Sequence, residues 1–257
     1  MIPSTAKAPP GGDAWLHEPK WDGYRFQIIK NGRDVRLYSR NGAEYTERLP
    51  RMVEAFANLP ARAAVLDGAL CLIDERGAAN FYRLMAQMRT RWPDESRLIF
   101  MGFDLLHQDG VDLTGLPLSE RKRDLDRLCR KARLPFLRQV ETFPDGAVLF
   151  EYCNKFGFEG IVSKHRGSRY TSGPSRNWVK VKCPDWKREN TKRRRHIFEG
   201  NKKPVMTEAQ RTLRKKRGEL ARVRERLQAP GLSQGIAREL RKHIAILERE
   251  IAELQSA

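Results

Sequence analysis

Alternating apolar and polar positions near the start of the chain predict a β-hairpin. Two strand-like runs, residues 23–30 and 34–40, flank Asn31-Gly32, a dipeptide favoured in two-residue hairpin turns. A second Asn-Gly pair follows in Ser39-Arg40-Asn41-Gly42, which places an arginine at a strand end beside a turn. Backbone amides and a guanidinium gathered in this way can bind phosphate, but ordinary hairpins show the same pattern.

The middle of the chain alternates between helical and strand-like hydrophobic spacing. Apolar residues recur every three to four positions over 49–56 and over 81–88, which predicts helices. The apolar runs 64–73 and 98–106 have the length of buried strands. Asp67-Gly68 interrupts the first apolar run, which predicts a β-bulge or a close backbone approach. Asp104 lies inside the second run and must be paired or functional, because a lone buried carboxylate is costly.

Capping signals mark two further helices. We predict that Ser119 caps the N-terminus of a charged helix. Another helix is predicted from Asp145 to Gly157, since glycine is favoured just after a helix C-terminus.

Two more strands are predicted after these helices. Residues 158–164 are rich in β-formers, yet they include an acid, a glycine and a lysine. Residues 177–183 alternate strictly, so Lys180 and Lys182 share the face opposite two valines and a cysteine. Two lysines on one strand face would attract a triphosphate; the alternative is an exposed edge strand guarded by charge.

Beyond Pro184 the pattern changes to clustered positive charge. We expect an α+β domain over residues 1–187, a basic linker over 188–206 and a basic helical hairpin over 207–257, bent at Pro230-Gly231. The second hairpin helix carries a near-heptad stripe suited to hairpin packing or self-association, formed by Ile236, Leu240, Ile244, Leu247 and Ile251. The first helix is strongly basic and is either a phosphate-binding arm or a solvated face.

The charge balance indicates a polyanionic partner. The chain has a formal net charge of +18 and a pI of about 10.1, and clustered Lys and Arg gain affinity by releasing counterions from phosphates. An anionic membrane surface is the competing partner, but the sequence has no run of about 20 apolar residues. The first residues lack the apolar block of a secretory signal, so we expect a cytoplasmic protein without membrane association.

The cysteines and histidines argue against disulfide and zinc chemistry. The four cysteines are far apart, with no Cys-x-x-Cys pair, and are interpreted as reduced core thiols. The five histidines show no H-E-x-x-H spacing, which removes the usual pattern of a zinc hydrolase.

The segment Glu18-Pro19-Lys20-Trp21-Asp22-Gly23-Tyr24-Arg25 concentrates opposite charges in eight residues that Pro19 and Gly23 force to bend. A lysine near other cations, or partly withdrawn from water, loses its proton more easily, and the neutral amine is a nucleophile. Gly23 would let the backbone approach a ligand, and Arg25 offers a fork of donors for phosphate or carboxylate. The alternative is a solvated charged turn, because short motifs also match by chance.

Six motifs follow one another in a fixed order: Lys20-Trp21-Asp22-Gly23-Tyr24-Arg25, Ser39-Arg40-Asn41-Gly42, Asp67-Gly68, Phe103-Asp104, Glu159-Gly160-Ile161-Val162-Ser163-Lys164 and Trp178-Val179-Lys180-Val181-Lys182. This series resembles the nucleotidyltransferase motifs of ATP-dependent DNA ligases. It is most similar to the ligase domain of bacterial end-joining ligases, over about residues 14–188.

The resemblance implies an antiparallel-rich, two-sheet α+β nucleotidyltransferase (ATP-grasp-like) domain with ATP bound between the sheets. It also implies that Lys20 attacks the α-phosphate of ATP, giving lysyl-AMP and pyrophosphate. The adenylate would pass to a DNA 5′-phosphate, and the 3′-hydroxyl would displace AMP to seal the nick. Such transfer asks a protein mainly for positioning and countercharge.

The same resemblance implies which groups hold the ligands. Glu18 and Phe103 are expected at the adenine, and Arg25 and Arg40 at the ribose and phosphates. Glu159 is expected at the divalent metal, Mg²⁺ or Mn²⁺, and Lys180 and Lys182 are expected at the α-phosphate. The implied partners are double-stranded DNA with nicks or ends, and end-joining repair proteins. The implied location is the bacterial cytoplasm, at the nucleoid.

Two departures from the family pattern leave other functions open. Where the family has Asp-Gly-Glu, this chain has Asp67-Gly68-Ala69, and the residues after the lysine strand read as linker and helices, with no OB-fold. Losing one preorganised electrostatic group typically lowers a rate on the order of a hundredfold. The alternatives are a catalytically impaired ligase-like protein that binds DNA or assists repair, and an end-capping or RNA-joining enzyme with the same lysine chemistry.

Overall fold

The chain folds into two units, Met1–Thr191 and Lys192–Ala257. The computed structural model describes residues 1–75, 77–186, 188, 190–191, 208–228 and 234–256. The named elements of the first unit are, in chain order, β1 Ile2–Thr5, β2 Trp15–Pro19, β3 Tyr24–Asn31, β4 Asp34–Ser39, α1 Pro50–Ala57, β5 Ala63–Leu72, α2 Phe81–Gln87, β6 Leu98–Gln108, β7 Val111–Asp112, α3 Leu118–Ala132, β8 Leu137–Gln139, α4 Gly146–Lys155, β9 Gly160–His165 and β10 Pro174–Lys182.

The strands of the first unit form two mostly antiparallel sheets, as the fold prediction requires. One sheet has the order β1-β10-β9-β2, in which only the β1–β10 pairing is parallel. The other has the order β4-β3-β5-β6-β7, and β8 pairs in parallel with β6. The predicted hairpin is confirmed as β3 and β4, but its turn is shifted by one residue from the predicted Asn31-Gly32. Asn31 still pairs with Asp34, so the turn residues are Gly32 and Arg33, and the positive φ of 59° at Gly32 suits glycine.

Apolar side chains pack on the outer face of each sheet. The larger cluster lies where α1, α2 and α3 cover the six-stranded sheet, with Phe26, Phe56 and Phe100 fully buried. A smaller cluster joins α4 to the four-stranded sheet through Leu149, Cys153, Ile161, Val181 and Cys183. The two inner faces are therefore left to face each other, and that arrangement creates the cavity described below.

Several local predictions are confirmed. The register of β5 against β6 shifts between Asp67 and Gly68, so the predicted bulge is present. A Cβ added to Gly68 would lie 2.4 Å from the Phe100 ring, which also confirms the close approach. Asp104 is fully buried and accepts two hydrogen bonds from Arg121 at 2.8 and 2.9 Å. The four cysteines are free thiols, and three of them are buried.

The predicted cap at Ser119 is wrong. The helix α3 begins at Leu118 and its N-cap is Pro117, so Ser119 lies inside the first turn. Its backbone N–H donates to Arg166 O at 3.0 Å, which satisfies a donor that a cap would otherwise serve. The cap predicted at Asp145 is confirmed, because its carboxylate accepts from the N–H groups of Ala147 and Val148.

The second unit contains two described helices, α5 Glu208–Leu227 and α6 Gln234–Ser256. Val223 of α5 and Leu247 and Ile251 of α6 are buried. The predicted linker over 188–206 lies almost wholly outside the described residues, and the bend at Pro230-Gly231 lies outside them too. The proposed domain limits and the missing OB-fold therefore stay predictions. Across the described ranges, none of the helices combines the length and apolarity that a bilayer crossing requires.

Candidate active site

A cavity of about 540 Å³ opens between the inner faces of the two sheets. This volume is within the range of roughly 300 to 1,000 Å³ typical of small-molecule sites. The cavity is lined by all the residues to which the sequence assigned a role: Glu18, Lys20, Arg25, Arg40, Phe103, Glu159, Lys180 and Lys182. Five of the six motifs that are scattered along the chain therefore contribute lining residues to one cavity, and the sixth, Asp67-Gly68, reaches it through the contact of Asp67 with Arg25.

The four-stranded sheet presents its wall of the cavity through strand register. Val162 of β9 pairs with Glu18 of β2 on one side and with Lys180 of β10 on the other. Directly opposed residues of neighbouring strands point to the same face, so these three side chains stand in one row. Lys182 follows two residues after Lys180, opposite Gly160. The alternation read from residues 177–183 is therefore confirmed, and its lysine face is the cavity face.

Lys20 is held at both its backbone and its side chain. Its N–H donates to Gly160 O at 2.8 Å, directly after β2 ends. Its Nζ forms an ion pair with Oε2 of Glu159, whose other oxygen lies 2.8 Å from Lys182 Nζ. The Glu159 side chain is only 6% exposed, against 25% for Lys20. One buried carboxylate is thus shared by two ammonium groups, and an incoming polyanion can compete for both.

Asp22 is a second acid next to this triad. Burial, and then the charge of Glu159, raise the pKa of Asp22 from 3.8 to about 6, while Lys20 and Lys182 oppose the shift. Two carboxylates placed close together in this way favour either a shared proton or a bound cation.

Glu18 is buried between two lysines that received no role from the sequence. Its carboxylate oxygens lie 2.6 Å from Lys164 Nζ and 2.9 Å from Lys122 Nζ. Lys164 Nζ also sits 4.4 Å from the Phe103 ring centroid and 4.2 Å from that of Trp178. Burial lowers the pKa of Lys164, which is fully enclosed. The sequence pattern around either lysine does not identify its role, because both lysines reach Glu18 from elements that are distant in the chain.

Arg25 is oriented by a network with Asp67 and Tyr170. Its Nε donates to Asp67 Oδ1 at 3.0 Å, and an NH2 group of the same guanidinium forms an ion pair with Oδ2. The Tyr170 hydroxyl donates to Asp67 Oδ2 at 2.7 Å and accepts from Arg25 at 3.1 Å. Asp67 is fully buried, so the guanidinium is its countercharge. Sequence reasoning missed Tyr170, and it placed Asp67 in a motif without giving its side chain a role.

Phe103 owes its position to the β-bulge. Asp67 pairs with Asp104 and Gly68 with Gly102, so the register skips Phe103. A bulged residue is re-aimed relative to its strand, which is a recurrent device beside active sites. The ring lines the cavity, with the Arg25 guanidinium carbon 5.5 Å from its centroid.

Gly23 has a structural reason that differs from the prediction. A Cβ there would lie 2.3 Å from Leu70 O and 2.7 Å from Cys71 Sγ, so the close approach is to strand β5. Ala69 directly precedes Leu70 on the same strand. It pairs with Arg25 of β3 and lines the cavity. Where the resemblance leads one to expect a carboxylate, this wall is therefore apolar.

Glu159, which lines the cavity, and Asp22 beside it suit a divalent cation that is also bound by phosphate. Glu159 and Asp22 are close enough to influence each other's charge, and Mg²⁺ commonly uses one or two carboxylates together with substrate phosphates. Within the described ranges no group of three or more His, Cys, Asp or Glu could hold a metal by itself. The residues present therefore fit a cation shared with a nucleotide.

Comparison with known proteins gives matches over the first unit. The model of the ATP-dependent DNA ligase domain family matches residues 4–182. The multifunctional non-homologous end joining protein LigD of Pseudomonas aeruginosa is 36% identical over 186 residues, which are 71% of this chain and 21% of that protein. A probable DNA ligase of Rhodococcus jostii is 37% identical over 175 residues, which are 67% of this chain and 34% of that protein. The chain thus spans about a fifth to a third of the length of these relatives.

Solved structures give the same picture. Mycobacterial DNA ligase D complexed with ATP and MES has a TM-score of 0.57 and 33% identity, covering 70% of this chain and 60% of that chain. Chlorella virus DNA ligase-adenylate has a TM-score of 0.51 and 17% identity, covering 71% of this chain and 69% of that chain. The second likeness concerns the fold alone.

Proposed function

The chain belongs to the ATP-dependent DNA ligase domain family, and from this premise we propose that it joins nicked or broken DNA through a lysyl-AMP intermediate on Lys20. The observation that carries the proposal is the sharing of Glu159 by Lys20 and Lys182 inside the cavity between the sheets. It gives one amine a fixed position beside cations that can hold a phosphate chain.

In the first step the nitrogen of Lys20 bonds to the α-phosphorus of ATP. The bond from that phosphorus to the bridging β-phosphate oxygen breaks, and pyrophosphate leaves with its electron pair. The amine must lose a proton to solvent water before it attacks, which its partial exposure allows, so its ion pair with Glu159 has to open. The entering phosphates help to open this ion pair, because they compete with Glu159 for Lys182.

The remaining roles follow from where the side chains lie. Adenine stacks on Phe103 near Glu18, and Arg25 holds ribose and phosphate while Asp67 and Tyr170 keep it oriented. Lys180 and Lys182 bind the α-phosphate from the four-stranded sheet, and Arg40 does so from the turn after β4. Glu159, with Asp22 beside it, holds the divalent cation, Mg²⁺ or Mn²⁺. When bound, that ion offsets charge on the phosphates.

Two further transfers complete the proposed reaction. The AMP group moves from Lys20 to a DNA 5′-phosphate, and the 3′-hydroxyl then displaces AMP to close the backbone. The partners are double-stranded DNA with nicks or ends and repair proteins of end joining, in the bacterial cytoplasm at the nucleoid. The name of the P. aeruginosa relative, a non-homologous end joining protein, supports the end-joining part of this proposal.

Covalent labelling tests the proposal directly. Incubation with α-labelled ATP and Mg²⁺ should transfer label to the protein, and Lys20→Ala should remove it. The matched control is Lys155→Ala, because Lys155 lies in α4, outside the residues that line the cavity. An unlabelled parent protein, or a Lys20→Ala variant that labels as well as the control, would refute the lysyl-AMP step.

The apolar wall at Ala69 favours a second candidate function. A ligase-like protein with impaired chemistry would bind DNA or assist repair, and Lys20→Ala would leave its DNA binding intact. In an active ligase, Ala69→Glu should raise the labelling rate by about tenfold or more, because it adds an electrostatic group beside Arg25. No labelling from either parent or Ala69→Glu would favour the second candidate. Labelling by GTP in preference to ATP would point instead to end-capping chemistry.

A further inference from the structure

Of the two described helices of the second unit, α5 carries most of the positive charge. The sequence of α5 contains eight Lys or Arg and three Glu, whereas α6 contains four Lys or Arg and four Glu. A hairpin that needed charge only for solubility would gain equally from either helix, so the asymmetry calls for a separate cause.

The contacts between the two helices use only part of this charge. Lys216 lies 2.7 Å from Glu250, and Arg224 lies 2.6 Å from Glu248. These pairs flank the apolar seam that buries Val223. The acids of α6 are thereby partly neutralised by one side of α5.

Another set of α5 cations is left facing solvent. Lys215, Arg217 and Arg222 are exposed, and the Nε of Arg222 donates to Gly218 O at 3.2 Å. No described carboxylate lies within ion-pair distance of these three cations. Lys215 and Arg222 are seven positions apart and lie on one flank of the exposed side of the helix, whereas Arg217, two positions after Lys215, lies on the other flank. We call the exposed side that carries these three residues the basic face of α5.

We propose that the basic face of α5 binds the phosphate backbone of duplex DNA without reading its sequence. The three residues span positions 215–222, about 10 Å along the helix axis, which is enough to meet two or three phosphates of a duplex. Exposed Lys and Arg gain affinity there by releasing condensed counterions. The choice of DNA as the polyanion rests on the proposed ligase function, whereas the binding surface rests on the charge of the helix.

The test compares two triple variants of the full chain. In the first, Lys215, Arg217 and Arg222 are each changed to Gln; in the control, Arg238, Arg241 and Arg249, which are exposed on α6, are each changed to Gln. Both remove three charges, and glutamine preserves helix propensity, which circular dichroism can verify. Binding to a fluorescent, nicked 24-base-pair duplex is measured by anisotropy from 50 to 300 mM salt.

We expect the first triple variant to weaken binding about tenfold or more at 100 mM salt. It should also reduce the slope of log Kd against log salt by about 2 to 3, since each phosphate contact contributes about 0.9. The control should change Kd by less than about threefold. Equal weakening by both variants, or unchanged binding by the first, overturns the proposal.

Two further readouts separate the alternatives. If the first triple variant abolishes binding of the protein to phosphatidylserine vesicles but leaves DNA binding unchanged, the surface serves a membrane and the proposal fails. Labelling by α-labelled ATP should be equal in all three proteins. A parent that binds DNA with the expected slope but takes no label refutes the ligase proposal and leaves the basic face of α5 supported.

Discussion

At the scale of single residues, the site is held together by shared charges. Glu159 joins Lys20, the proposed nucleophile, to Lys182, and Glu18 joins Lys122 to Lys164. Each carboxylate is buried, so removing one partner leaves charge without compensation, which typically destabilises by about 3 to 5 kcal/mol. The charged groups of the site are therefore paired with one another before any ligand arrives.

Asp22 should make stability depend on pH. Its pKa is about 6 in the folded protein against 3.8 in an ordinary carboxyl, so the native state binds the extra proton between these values. The contribution of Asp22 to the free energy of unfolding is therefore fully present below about pH 4. It is lost as the pH rises through about 6, where the folded protein gives up this proton. Asp22→Asn should avoid that loss, and be more stable than the parent at pH 7.5 by up to about 3 kcal/mol.

Urea unfolding at pH 4.5, 6 and 7.5 checks this expectation. The difference between parent and Asp22→Asn should grow with pH, whereas the exposed control Asp13→Asn should show no trend. A difference that stays constant from pH 4.5 to 7.5 would contradict the assignment.

Tyr170 should act as a positioning residue for Arg25. Tyr170→Phe removes the hydroxyl that bonds Asp67 and Arg25, and a hydrogen bond to a charged partner contributes about 1.5 to 3 kcal/mol. We expect the rate of ATP labelling to fall roughly tenfold, because the guanidinium loses its orientation. Tyr152→Phe alters an exposed tyrosine of α4 and should label at the parental rate. Equal rates in the two variants would show that the hydroxyl is dispensable.

The residues found from the sequence share one property. Each lies in a short motif whose residue types and spacing indicate its chemistry, as for Lys20, Arg25, Lys180 and Lys182. Lys164 was quoted within a motif but received no role, because the rings that enclose it come from other elements. Such partners cannot be identified before the fold is known.

At the scale of elements, strand register determines what the cavity contains. The alternation of β10 sets its lysines on the inner face, and the bulge in β6 aims Phe103 into the same space. Both features were predicted in outline, the first from period-two spacing and the second from Asp67-Gly68. The mistaken cap at Ser119 shows the limit, since its N–H is satisfied by Arg166, a residue distant in sequence.

Gly160 is a position where the pairing of β9 with β10 leaves no room for a side chain. It has a φ of +154°, and a Cβ there would lie 2.0 Å from Val181 O, a backbone atom that cannot move aside. Gly160→Ala should lower the free energy of unfolding by about 3 kcal/mol. It should also reduce labelling, because Gly160 O holds the Lys20 backbone. Gly115→Ala meets no atom within 4 Å and should change stability by less than about 1 kcal/mol; equal melting of the two variants would contradict the argument.

At the scale of the whole molecule, ligand binding and stability are coupled. A ligand that binds only the folded state stabilises by about 2.7 kcal/mol at a hundred times its Kd. ATP with Mg²⁺ should therefore raise the melting temperature of the parent by several degrees. Lys20→Ala should keep most of that shift, because the phosphates still meet Lys180 and Lys182. A scan in which ATP has no effect, or in which GTP is equally effective, would contradict adenine selectivity.

Composition and motif order were sufficient to predict the fold of the first unit and the broad class of its chemistry. The charge of +18 indicated a polyanionic partner, and the periodicity separated an α+β domain from a helical hairpin. What the sequence could not supply was the distribution of that charge after folding. Only the pairing of the two helices shows which cations form ion pairs with Glu248 and Glu250. The same pairing decides which cations stay exposed on α5.

The chain has five tryptophans, and two of them, Trp21 and Trp178, line the cavity. Trp21 rests edge-on against Phe158, 5.3 Å away, and Trp178 is 2% exposed. Entry of a purine beside these indoles changes their surroundings, so intrinsic emission should quench as the site fills. The protein thus carries a built-in optical probe, and stopped-flow mixing can time nucleotide entry separately from the later covalent step.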